Sequence, residues 1–175
     1  MSLHVRQKQL ALLNIVGGMA VLASYVWAFA VSEELRTGLW GGVPEVMRPY
    51  YVRSMLLAAA GYFPFTWLLV FRTELSQERA YPWLLLCYAL VLFPSAAWLP
   101  LTVQMLEQSD PLLWIGIRAV LALVGIGALG LLALLIGRVR REGGSLPWLA
   151  LIGCVFFCWQ TVVLDALIWP AYFPI

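Results

Sequence analysis

Long apolar stretches alternate with short polar breaks along this chain: Leu10 to Val31, Val52 to Phe71, Tyr81 to Met105, Leu112 to Gly137 and Leu146 to Pro170. A helix rises about 1.5 Å per residue, so roughly 20 apolar residues cross about 30 Å of lipid hydrocarbon, and each stretch reaches that length. Backbone polar groups find no water in lipid, and a helix satisfies them within its own segment. The pattern therefore predicts an all-α fold: a polytopic membrane protein with a five-transmembrane-helix bundle as its one domain over residues 1–175.

Composition changes this picture little, with 63% hydrophobic and 11% charged residues and a mean hydropathy of +0.88. A soluble domain of that composition would lack polar surface. The connections are too short for a separate soluble catalytic or nucleic-acid-binding domain, and no nucleic-acid footprint is present. The first span shows no small-x-small cleavage site ahead of a soluble domain, so it is read as a retained helix.

Charge placement supplies the orientation. Arg6, Lys8, Arg72, Arg79, Arg138, Arg140 and Arg141 fall on one side of the five spans, and Arg36, Arg48 and Arg53 on the other. The positive-inside rule then puts the N-terminus in the cytoplasm and the C-terminus outside. Ten Arg against one Lys is compatible with a GC-rich bacterial gene without fixing the membrane; the expectation is a bacterial cytoplasmic (inner) membrane.

Candidate chemistry is sparse. Cys87, Cys154 and Cys158 all lie in spans without a CxxC motif and are read as packing residues. His4 is the single histidine, so no metal site and no catalytic triad can be assembled; neither enzymatic activity nor a cofactor is expected. Gly125, Gly127 and Gly130 spell GxGxxG, but no strand precedes them and the surroundings are lipid. With Gly116, Ala119, Ala122 and Ala128 they read as a surface for close helix packing. Pro64, Pro94 and Pro100 predict kinks that free the carbonyls of Ala60, Leu90 and Ala96 and open space between helices two and three, beside Trp67 and Trp98.

Polar residues inside spans are costly and usually face the bundle interior. Arg118 lies seven residues after Pro111, and Asp165 five before Pro170. Both therefore sit roughly 7 to 11 Å below the same surface. Either they pair across adjacent helices, or Arg118 snorkels to the headgroups and Asp165 is held by neighbouring hydroxyls or protonated. On helix five, Cys154, Cys158, Thr161, Asp165 and Trp169 recur in steps of four and three, forming one stripe flanked by Gln160 and Trp159. That stripe is read as facing inward, as interhelical glue or as recognition of an amphipathic ligand. The long first connection, Ser32 to Tyr51, carries Trp40, Tyr50 and Tyr51 and is read either as an ordered lid or as an interfacial loop.

The five spans, the long first loop opposite the N-terminus, the abundance of Trp and the segment ALVLFPSAAWLPL in helix three resemble the tryptophan-rich sensory protein or translocator protein family. That family consists of small five-helix membrane proteins that bind porphyrins, sterols and related apolar ligands. The resemblance implies an intrabundle pocket lidded by the first loop for a tetrapyrrole or sterol-like ligand, with a sensory or transport role. Trp98 is the position matching the family's helix-three motif. Trp67, Trp159, Asp165 and Trp169 are placed around the pocket from depth and face, Trp40 joins it from the lidding loop, and Arg118 would meet a propionate if not committed to Asp165. The alternative is a non-catalytic accessory subunit of a larger membrane complex; a homodimer is a further partner expectation, and an ion-conducting role for Asp165 and Arg118 is a third reading.

Overall fold

The computed structural model describes residues 4–30, 33–72 and 80–173; Val31, Ser32 and Arg79 lie outside them. Among the described residues there is no strand. Helix α1 covers Val5–Ala30, so it begins five residues before the apolar stretch and takes Arg6 and Lys8 into its first turns. A short helix α2 (Glu33–Gly38) and a 3-10 turn (Glu45–Met47) lead into α3 (Arg48–Trp67), which continues as a π-helical turn over Leu68–Arg72. Helices α4 (Tyr81–Glu107) and α5 (Pro111–Glu142) follow. Helix α6 (Ser145–Cys158) passes into a π-helix, Trp159–Ile168, and ends in α7 (Trp169–Tyr172). Among the described residues, five helical segments are long and apolar enough to cross a membrane: Val5–Ala30, Glu45–Arg72, Tyr81–Glu107, Pro111–Glu142 and Ser145–Tyr172.

Local sequence explains the boundaries. Pro49 and Pro82 stand in the first turns of α3 and α4, and Pro111 opens α5, where a missing N–H costs nothing. Asp110 caps α5 by accepting from the Leu112 amide at 2.8 Å. Gly143 ends α5 with a φ of 62°, a left-handed conformation that glycine adopts at little cost.

The spans close into a ring in which α1 packs on α4, α4 on α5, α5 on α6 and its π-helix, and α6 on α3. The ring is completed where Tyr62 of α3 donates to Asn14 of α1 at 2.6 Å. Glycines set the closest approaches. A Cβ on Gly61 would stand 2.5 Å from the carbonyl oxygen of Gly153, and one on Gly153 would stand 2.6 Å from that of Gly61, so α3 and α6 cross backbone to backbone. Gly127 and Gly130 of α5 admit Cys87 of α4, as the small-residue reading of that stretch expects. Gly116 meets nothing, and Ala119 and Ala122 are exposed, so the packing surface is shorter than the full run of small residues.

The expected opening between helices two and three is corrected by this order: α3 packs on α6, while α4 sits between α1 and α5. The Tyr88 hydroxyl still spans the interior to Thr66, at 3.2 Å.

Candidate functional site

Two clusters of buried side chains divide the bundle. One, around Leu10, Phe65, Tyr88 and Leu135, occupies the half nearer the N-terminus. The other gathers Val43, Tyr51, Trp114, Ile117, Leu164, Trp169 and Phe173 under the first loop, with Trp40 and Trp98 packed against it. Its rings meet edge-on or tilted: Trp98 to Trp169 at 5.8 Å and 82°, Trp169 to Phe173 at 4.7 Å and 39°. Trp114 stacks on Phe173 at 5.5 Å and 16°.

Residues 39–42 of the first loop are clasped to this end of the bundle. The Gly42 amide donates to the Tyr172 carbonyl at 2.6 Å, and the Trp169 indole N–H donates to the Leu39 carbonyl at 3.1 Å. Gly41 carries a φ of 55°, and a Cβ there would meet the Phe173 ring at 2.8 Å, so two constraints select glycine at this turn. Trp40 sets its ring edge to face with Tyr51 at 6.3 Å, and the Arg48 guanidinium lies 5.7 Å from the Trp40 ring. Two hydrogen bonds of roughly 1 kcal/mol each, the burial of Val43 and the partial burial of Trp40 hold the clasp. At the loop's edge a half-open recess of about 370 Å³ is lined by Glu34, Leu35, Gly38 and Leu106.

The stripe on the last span faces inward as its spacing predicts: Cys154, Cys158, Thr161 and Trp169 are buried, and Asp165 is half-buried. The π-helix adds what α-helical spacing does not contain. In an α-helix residues five apart stand about 140° from one another, whereas i to i+5 bonding brings them onto one side. Gln160, itself 4% exposed, accordingly donates its amide N–H to Asp165 Oδ1 at 2.7 Å. Asp165 also lies within electrostatic reach of the phenols of Tyr25 and Tyr51, with Tyr172 beside the latter. Three buried polar atoms of this half have no hydrogen-bond partner among the described residues: Tyr51 Oη, Trp98 Nε1 and Gln160 Oε1. An unpaired buried polar group costs about 1–3 kcal/mol, so three of them in one half of the bundle single out this region.

Arg118 does not pair with Asp165. Its side chain is exposed, about 100° around α5 from the buried Ile117, and its reach allows the guanidinium to lie toward the headgroups. Among the described residues, ion pairs join Arg48 to Glu45 and Arg138 to Glu142, and neither includes Asp165. Trp67 and Trp159, placed at the pocket by depth, are each 52% exposed on the outer surface of the bundle; Trp67 packs on Phe71 at 5.0 Å. Trp40, Trp98, Asp165 and Trp169 do come together. Missed from sequence were Tyr25, Trp114, Tyr172 and Phe173, aromatic residues that periodicity alone does not separate from their lipid-facing neighbours.

Comparison of the chain with family models, with curated proteins and with solved structures finds no match.

Proposed function

We propose that this chain binds an apolar or amphipathic small molecule, sterol-like or tetrapyrrole in size, in the half of the bundle under the first loop. The reading extends to the translocator-like resemblance, a sensory or transport role, and placement in a bacterial inner membrane with the N-terminus in the cytoplasm, which the distribution of basic residues supports. One observation carries it: Tyr51 Oη, Trp98 Nε1 and Gln160 Oε1 are buried without partners among the described residues, in the half of the bundle walled by Trp, Tyr and Phe. Such a mixture of apolar walls and a few convergent polar groups is what a small-molecule site requires. The clasped loop serves as the lid. Its release lets a ligand displace ring-on-ring contacts with ring-on-ligand contacts of the same kind, and the recess between α2 and α4 gives a starting point for insertion.

The test is a titration of detergent-purified protein with a porphyrin and with a sterol, following the fluorescence of its nine tryptophans. Trp98→Phe removes an indole N–H that has no partner within the described residues, so the variant is expected to fold. Saturable quenching, weakened in Trp98→Phe, is the expected result. No saturable response to either ligand rejects the reading.

A further inference from the structure

The notable feature of the Asp165 site is a carboxyl group without a basic partner. Asp165 holds one amide N–H from Gln160 and, among the described residues, no cation. Arg118, the cation at the same depth on the adjacent helix, is exposed and turned away. Beside the carboxylate stands a second acceptor, Gln160 Oε1, in a residue 4% exposed and without a partner for that atom. Tyr25 and Tyr51 lie within electrostatic reach of Asp165, and Trp98 and Trp169, paired edge-on, belong to the same half of the bundle; the faces of such rings carry partial negative charge.

Resting on the ligand-binding reading, we propose that the molecule bound here presents a protonated amine, docked between the Asp165 carboxylate and the Gln160 amide oxygen. An ammonium group carries three N–H donors and no acceptor. It satisfies the orphaned Gln160 oxygen, forms a charge-assisted hydrogen bond with Asp165 and leaves its apolar body against the indoles. A carboxylate on the ligand meets the opposite situation, a group of like charge that offers the Gln160 oxygen no donor. A neutral hydroxyl makes the hydrogen bonds but brings no charge to pair with a carboxylate, an attraction that in a medium of low dielectric is far stronger than in water. The site therefore ranks ligand heads as amine, then alcohol, then carboxylate.

Adamantylamine, adamantanol and adamantane carboxylate share one apolar cage and differ in the head. Titration calorimetry of each into the full chain in a non-ionic detergent, with detergent-only blanks, reads the ranking on the unaltered protein. The amine is expected to bind roughly tenfold or more tightly than the alcohol, as a charge-assisted hydrogen bond implies, and the carboxylate most weakly. In Asp165→Asn, a near-isosteric change, the amine should fall to the alcohol's affinity while the alcohol changes little. Equal affinity of amine and alcohol for the unaltered protein overturns the amine assignment and leaves the pocket standing. Absence of saturable binding by all three overturns it as well, and the porphyrin and sterol titration then decides separately whether the pocket falls with it.

Discussion

The crossing of α3 and α6 makes Gly61→Ala the sharpest test of the architecture. The added methyl would sit 2.5 Å from the Gly153 carbonyl oxygen, 2.8 Å from its Cα and 2.9 Å from its carbonyl carbon. All three are backbone atoms, so no rotamer change relieves the overlap, and the helices must move apart by about 1 Å to reach ordinary contact near 3.5–4.0 Å. Overpacking of this kind costs about 1–3 kcal/mol, and a rigid backbone neighbour places Gly61→Ala at the upper end. Replacing glycine by alanine within a helix returns about 1 kcal/mol, leaving a net loss of about 2 kcal/mol. Gly116→Ala provides the reference: its methyl meets nothing within 4 Å, so only the helical gain remains. The two variants should then differ by about 3 kcal/mol, or about 6–12 °C in melting midpoint for a chain of this size. Cys87, Cys154 and Cys158 are free and buried, so a thiol-reactive fluorophore in detergent reports unfolding. A Gly61→Ala midpoint equal to or above that of Gly116→Ala would refute the backbone-to-backbone crossing.

Further outcomes follow from the same geometry. Because Arg118 and Asp165 do not touch, Arg118→Gln should shift stability by no more than about 0.5 kcal/mol. The Arg118→Gln/Asp165→Asn double variant should equal the sum of the single changes within about 0.5 kcal/mol; rescue of one substitution by the other in a double-mutant cycle would restore the ion pair. Trp169→Phe removes the indole bond to the Leu39 carbonyl and should cost about 1 kcal/mol while raising amide exchange over residues 38–43, with unchanged exchange there counting against a clasped lid. In single-tryptophan variants reconstituted into vesicles with brominated lipid, Trp67 and Trp159 should be strongly quenched and Trp114 and Trp169 weakly. The reverse order would turn the helices around.

The number and limits of the spans were legible in the chain because the cost of dehydrating charges and backbone sums locally, residue by residue. The five segments sit close to the apolar stretches, with α1 and α3 starting several residues earlier. The inward stripe of the last span was legible for a related reason: Cys154, Cys158, Thr161, Asp165 and Trp169 include the polar groups that lipid excludes. Where both faces of a helix are apolar, that signal vanishes. Lipid tails and protein interior are alike to an indole, so Trp67 and Trp159 could be assigned a depth but not a side, and the length of the Arg118 side chain let a charge escape outward from a position that depth alone put inside. The Gln160–Asp165 bond needed tertiary structure for a different reason, since it exists only where the helix winds with i to i+5 spacing. The sequence determined that this protein is a bundle of five apolar helices; which residues share its interior was decided by the glycine crossings and the π-helix that set each helix's rotation.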